Sequence, residues 1–273
     1  MIIALLLILG VAWGSFVNAL VTRLRHNTTT KKPTKKLPIT TGRSMCMQCQ
    51  RTLAIKDLIP IVSWLTLRGR CRYCNSSIPD NPLAEVLVPL LFVASFVLWP
   101  NPLEGVLPVI AFGLWLIAVV LLVALLIYDM RWMLLPNVLT RSLTLTAVMF
   151  VGVRAVSNSD SFAVAVSAIG GAIAVGGLFY VLHRLSNGRW IGGGDVKLGI
   201  AVGLFVGSPL AGFMLVFIAS LLGTLYALPS LLRQSRKLTT RVPYGPFLIL
   251  ATVVVMLLSS RVLDWYMDIL ALT

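Results

Sequence analysis

Apolar runs of membrane-crossing length recur along this chain, separated by short polar stretches and by one long one. The runs predict helices over 1–21, 83–99, 106–128, 138–154, 162–183, 196–207, 210–231 and 246–263. Backbone groups inside a hydrocarbon layer must bond to one another, so apolar runs of this length are helices. The pattern therefore predicts an all-α, polytopic transmembrane bundle of about eight helices. The run at 196–207 is short for a crossing, and Gly207, Ser208 and Pro209 break it, so a re-entrant or tilted helix is expected there. The first run lacks a basic leading region and is followed by no small-residue cleavage site, and it reads as a span that is retained. The long polar stretch, 22–82, reads as a small loop domain inserted after the first helix of an otherwise single membrane-embedded domain over 1–273. Within it, residues 27–42 are rich in Thr, Lys and Pro without apolar periodicity, which predicts a solvated linker.

Composition agrees with the pattern: 58% of residues are hydrophobic, only 12% are charged, and the mean hydropathy is +0.92, which excludes a soluble domain. The net charge of +14 would suggest nucleic acid in a soluble protein. Here the basic residues lie between the spans, where lipid headgroups and topology account for them and no nucleic-acid partner is expected. Twelve Lys and Arg fall in 22–82, and the positive-inside rule turns that segment toward the cytoplasm. Counting crossings from it brings Arg131, Arg141, Arg184, Arg189, Lys197, Arg233, Arg236, Lys237 and Arg241 to the same side and leaves only Arg154 and Arg261 opposite. An asymmetry this large predicts a multi-pass protein of a bacterial inner membrane with loops 22–82, 129–137, 184–195 and 232–245 facing the cytoplasm.

Nine carboxylates serve the whole chain, and most lie in ordinary places: Asp57 and Asp80 in the polar loop, Asp160 in an outer loop, Glu104, Asp264 and Asp268 near outer ends. Glu85, Asp129 and Asp195 differ, since each sits where a cytoplasmic segment meets an apolar helix and a charge is costly unless paired or used. Asp129 ends the third run. Asp195 follows Gly192, Gly193 and Gly194 and opens the sixth, at similar depth. Two neighbouring carboxylates share a proton, so one can activate water while the other polarises a carbonyl, the chemistry of an aspartic protease without a metal. The glycines would let an extended substrate approach closely. Two plainer readings stay open: Asp195 as a helix N-cap, and Asp129 as an interfacial charge neutralised by Arg131. A transporter or channel using the two aspartates for protons or ions is a further alternative. Other protease chemistries lack their parts: His26 and His183 are far apart, the first read as a linker residue and the second as interfacial, and no nucleophile-elbow or zinc-protease motif occurs.

The four cysteines form two pairs, Cys46 with Cys49 and Cys71 with Cys74, each spaced as a metal knuckle. Four thiolates suit a structural zinc ion, and Arg70 and Arg72 favour the ionised form. Two disulfides are the alternative, disfavoured in a reducing compartment. A loop of this size has little core, and a metal would supply the missing stability.

Together these segments resemble the type IV prepilin peptidases, a branch of the GxGD intramembrane aspartic proteases. The resemblance rests on Gly14, Ser15, Phe16, Val17 and Asn18 with Arg23 and Leu24, and on the paired knuckles. It continues through Asp57, Pro60, Ser63, Trp64, Arg68, Gly69 and Arg70, then Pro82 to Glu85, then Asp129 with Leu135 and Pro136. It ends with Gly192 to Leu198 and Pro243, Tyr244, Gly245 and Pro246. It implies cleavage of the basic leader from prepilins or type II secretion pseudopilins by Asp129 and Asp195. It also implies N-methylation of the new terminus with S-adenosylmethionine in members that keep the four-cysteine loop. Met47, Leu58 and Asn137 depart from the residues many members carry. No glycine fingerprint for a nucleotide-binding α/β domain is present, so a methyl donor would sit against the loop and helix ends. Lys197 is either a headgroup contact or a cation tuning the pair. Glu85 is either a structural partner of loop arginines or part of a methylation site. Pro243, Gly245 and Pro246 either start the last helix or hold the substrate strand.

Overall fold

The computed structural model describes residues 1–30, 37–38, 43–78, 82–100, 102–232 and 243–271, the side chains at 230–232, 260 and 262–271 excepted. Most of the expected linker, Asp80, Arg233, Arg236, Lys237 and Arg241, and the side chains of Asp264 and Asp268, lie outside that set. The described residues form ten α-helices, a 3-10 turn and a π segment, with no strand among them beyond two isolated bridges. Five helical stretches are long and apolar enough to cross a membrane, Ile2–Thr29, Val106–Trp132, Asn137–Val156, Ser161–Leu185 and Pro209–Pro229; shorter apolar helices cover Leu83–Leu98 and Gly245–Ser259. The chain folds as two compact units, Met1–Val97 and Leu98–Thr273.

The first unit opens with α1 (Ile2–Thr29), whose buried residues Leu6, Gly10, Gly14, Val17, Val21 and Leu24 recur every three or four positions. That stripe runs past residue 21, and it explains why α1 continues for two turns beyond the predicted span: Val21 and Leu24 still have a face to bury, while Arg23 and Arg25 beside them are half-buried. The partner is α3 (Leu83–Leu98). Gly10 lies against Pro89, and a Cβ on Gly14 would stand 2.6 Å from Glu85 Cα, so the two backbones touch only because both positions lack a side chain. Between these helices come the 3-10 turn Ile55–Asp57 and the five-residue α2 (Val62–Thr66). Loop residues are tied back to α1 by Asn27, which exchanges two bonds with Leu37 at 2.7 and 2.8 Å.

The second unit is built around two helices of opposite direction. α4 (Val106–Trp132) is buried along most of its length, from Ala111 to Asp129. α8 (Gly193–Val206) has 14 residues, about 21 Å of helix, short of the roughly 30 Å hydrocarbon core. Gly207 stops it in a left-handed conformation (φ 74°), and Ser208 Oγ then accepts the Ala211 N–H at 3.2 Å to start α9 (Pro209–Leu232). Around this pair stand α5 (Asn137–Val156), α6 (Ser161–Ala172), the π segment Ile173–Gly177, α7 (Leu178–Leu185) and α10 (Gly245–Ala271).

α8 reaches the middle of the unit because it is nearly smooth on one side. A Cβ on Gly203 would meet Gly171 O at 2.5 Å and Ala172 Cα at 2.7 Å, and one on Gly199 would lie 3.3 Å from Gly176 Cα. Glycines on α8 therefore mesh with glycines on α6 and the π segment, the close approach that small residues four apart permit. At its far end Phe205 packs edge-on against Trp115 of α4 (5.8 Å between centroids) and beside Phe150 of α5 (5.2 Å). With Phe205 pinned to Trp115, the antiparallel course of α8 returns Asp195 to the level of Asp129.

Candidate functional site

Asp129 occupies the last full turn of α4 and is 5% exposed. Met133, in a left-handed conformation (φ 52°), caps the helix by donating its N–H to Asp129 O at 2.8 Å. Asp195 is the third residue of α8. Its Oδ2 accepts the Gly192 N–H at 3.2 Å, which leaves Oδ1 turned the other way. That way points to Gly245, the first residue of α10. A Cβ built on Gly245 would press on Asp129 Oδ2, lie 3.2 Å from Asp129 Cγ and lie 3.7 Å from Asp195 Oδ1. Three helix ends thus converge, and the two carboxylates flank one point that only a residue without a side chain leaves open.

Residues around that point hold it in shape. Tyr244, just before Gly245, shares a hydrogen bond with Ser220 of α9 at 3.2 Å and packs edge-on against Phe179 (5.6 Å). Pro243 and Pro246 flank this turn, and Pro246 falls at the start of α10, where a missing N–H costs no helical bond. Gly192 and Gly193 are exposed, and Gly194 fits against Leu135, whose Cβ would be 3.0 Å from an added methyl. His183, expected as an interfacial residue, shares a hydrogen bond with Ile191 O through Nδ1 at 2.8 Å, fixing the loop that precedes Gly192. Lys197 donates to Asn137 Oδ1 at 2.6 Å, joining the fifth residue of α8 to the first residue of α5. Lys197 makes no salt bridge to either aspartate.

In the first unit all four cysteines are free, and their Sγ atoms lie within 4.8 Å of one another. Cys46 and Cys74 are 3.8 Å apart, about the edge of a tetrahedron with roughly 2.3 Å metal–sulfur bonds. The two knuckles repeat one backbone design. Gln50 and Asn75 follow them with φ of 57° and 56° and donate to Cys46 O and Cys71 O at 2.8 and 2.9 Å; the bridges Met45–Thr52 and Arg70–Ser77 close the two loops. Burial opposes ionisation of Cys46, but the Cys49 and Gln48 amides and the Ser76 hydroxyl outweigh it and bring that thiol down to about 6. The Arg51 amide favours a Cys49 thiolate, yet burial and the neighbouring sulfurs push that thiol up to about 11. Four sulfurs this close cannot all ionise without a cation among them.

Asp57, expected to be a solvated loop carboxylate, instead staples the knuckles. It accepts from Arg72 Nε at 2.6 Å, Tyr73 Oη at 3.2 Å and Ala54 N–H at 3.3 Å, while Arg51 lies 4.3 Å over the Tyr73 ring. The Arg72 guanidinium holds this carboxyl below the usual carboxylate range. Beside the knuckles is a cavity of about 590 Å³ lined by Ser15, Asn18, Arg43, Trp64 and Glu85 among others. Glu85, 9% exposed, accepts the Ile61 N–H at 2.5 Å and faces Asn18 Nδ2 at 3.5 Å. Sequence reasoning gave Asn18 and Trp64 no role of their own; an amide among the apolar residues of a span was the available signal.

Two family models match the chain: the bacterial peptidase A24 N-terminal domain over residues 8–99 and the type IV leader peptidase family over residues 116–228. The chain is 32% identical to a type 4 prepilin-like proteins leader peptide-processing enzyme of Escherichia coli O78:H11 (strain H10407), over 92% of each chain. It is 32% identical to a prepilin leader peptidase/N-methyltransferase of Pectobacterium carotovorum subsp. carotovorum, over 93% of this chain and 92% of that one. A prepilin leader peptidase/N-methyltransferase of Bacillus subtilis (strain 168) is 28% identical over 97% of each. No solved structure matches it.

Proposed function

The chain belongs to the type IV leader peptidase family, and on that footing we propose that it is a membrane aspartic endopeptidase in which Asp129 and Asp195 cut the basic leader from a prepilin or pseudopilin. The observation that carries the reading is the convergence of both carboxylates on the point in front of Gly245. Two carboxyl groups so placed hold one proton between them. The ionised member takes a proton from water as that water attacks the scissile carbonyl, and the protonated member donates to the carbonyl oxygen. Collapse of the tetrahedral adduct returns a proton to the leaving amine and restores the pair. The Gly192 backbone N–H donates to Asp195 Oδ2, so Oδ1 is the oxygen offered to water. The exposed Gly192 and Gly193 leave room for an extended peptide, and the Pro243 to Pro246 turn fixes the third wall.

The basic loops orient these ends toward the cytoplasm, where a leader with positive charge remains while the apolar segment of the substrate lies among the spans. Cys46, Cys49, Cys71 and Cys74 would hold a structural zinc ion, their four thiolates filling its ligand set so that it would serve stability and not catalysis. Methyl transfer to the new amino terminus belongs to the first unit. Its cavity falls in the range of small-molecule sites, and the orphaned Asn18 Oδ1 and Trp64 Nε1 fit a polar ligand there. S-adenosylmethionine, when bound, would supply an electrophilic methyl group, to which Trp64 would offer a ring face. Purified enzyme incubated with a prepilin, with and without S-adenosylmethionine, tests the reading by product mass. A shortened pilin in both reactions, one methyl group heavier with the donor, is expected. An uncut substrate would overturn the peptidase assignment.

A further inference from the structure

The cavity of the first unit, which Arg23 and Arg43 also line, contains an acceptor pair that neither of them meets in an ion pair. Glu85 presents a carboxylate that is 9% exposed and makes no ion pair among the described residues. One Glu85 oxygen takes the Ile61 N–H at 2.5 Å. The other faces Asn18 Nδ2 at 3.5 Å, at the limit of a hydrogen bond. Asn18 Oδ1, buried and lining the same cavity, has no partner. A nearly buried carboxylate outside any ion pair and a buried carbonyl without a donor are both costly, and they stand side by side. The group that relieves both is a compact cation bearing several N–H donors. A primary ammonium has three, whereas a guanidinium would need a planar, two-oxygen partner that the Ile61 N–H already prevents.

We propose that Glu85 and Asn18 receive the free α-ammonium group of the cleaved pilin, the atom to be methylated. This rests on the methyl-transfer half of the function proposed above and assigns the residues that carry it. Asn18 Oδ1 and Glu85 each accept an N–H, which holds the nitrogen and stops it turning. Glu85 takes the proton that the ammonium must lose before its lone pair is free. The amine nitrogen then bonds to the methyl carbon while the carbon–sulfur bond of the sulfonium donor breaks, and that electron pair stays on sulfur as a thioether. The Trp64 ring borders the same space, and an aromatic face stabilises a methyl group carrying partial positive charge. Placing a carboxylate here also separates the two chemistries: an uncut prepilin has its peptide nitrogen acylated, uncharged and unable to fill the pair.

Glu85→Gln tests this without removing the Ile61 acceptor, since the amide oxygen can keep that bond. The measurement is binding of a mature-pilin N-terminal peptide and of its N-acetylated form to the zinc-loaded full chain in detergent, by titration calorimetry. Wild type is expected to prefer the free amine by about tenfold or more, equivalent to about 1.4 kcal/mol. Glu85→Gln is expected to lose that preference and its methylation while cutting full-length prepilin at the wild-type rate and retaining its zinc. Asn18→Leu is expected to reduce the preference, and Glu85→Asp to restore part of it. Equal binding of the two peptides by wild type, or a preference kept in Glu85→Gln, would overturn the proposal. So would loss of S-adenosylmethionine binding with peptide preference intact, because the pair would then hold the amino group of the donor. Wild type that cuts but never methylates would instead refute the methyl-transfer reading itself.

Discussion

Replacing Gly245 with alanine adds one methyl group at the point both carboxylates face. In the folded chain that methyl presses on Asp129 Oδ2, stands 3.2 Å from Asp129 Cγ and 3.7 Å from Asp195 Oδ1. Ordinary carbon–oxygen contact needs about 3.4 Å or more, so either the Asp129 carboxyl turns away or the first turn of α10 recedes, by about 1 Å. A displacement of that size at reacting groups costs about 100-fold in rate, roughly 2.7 kcal/mol in the barrier. Stability should change little, because alanine is a better helix former than glycine and offsets part of the crowding. Gly223→Ala is the control: its methyl would stand 3.5 Å from Phe247 Cδ2, an ordinary contact, and it should cut at close to the wild-type rate. The assay is kcat/KM for prepilin cleavage in proteoliposomes, with the melting temperature in detergent read alongside. Wild-type cleavage by Gly245→Ala, or an equal loss in Gly223→Ala, would refute the reasoning.

Cys71 is the most buried of the four thiols, 3% exposed, so Cys71→Ser should release the metal and open the loop to protease. Metal content by atomic absorption checks it, and full retention would contradict the four-sulfur site. Asp57 gives a pH dependence: Arg72 depresses its carboxyl, so the stabilisation is complete above the ordinary carboxylate value, about 4, and disappears as pH falls through the lowered folded value. Asp57→Asn should abolish that component, so loop proteolysis followed from pH 7 downward should separate the two proteins at neutral pH and bring them together in acid. Parallel curves throughout would contradict the staple.

Helix positions were legible because hydrocarbon leaves the backbone no other choice, and breaks such as Gly207 mark where a run must stop. The end of α1 was not, since Arg23 and Arg25 look like the end of a span while the buried stripe beside them continues through Leu24. The knuckles were legible from spacing alone. Their staple was not, because a carboxylate in a polar loop carries no mark of the Arg72 and Tyr73 that meet it. Asp129 and Asp195 were identified as the costly carboxylates of two span ends. That Gly245 would lie between them, or that Asn137 would take Lys197 from sixty positions away, depends on the glycine seam that draws α8 inward. Such a seam is visible in sequence only as scattered glycines.

The central claim is that one point between two carboxyl groups performs the cleavage. Purified Asp129→Asn and Asp195→Asn proteins, each keeping the shape but not the charge of the side chain, should insert in membranes, bind metal and methylate a pre-cut pilin peptide as wild type does, while the mass of an intact prepilin stays unchanged. A prepilin shortened at the wild-type rate by either protein would contradict the account.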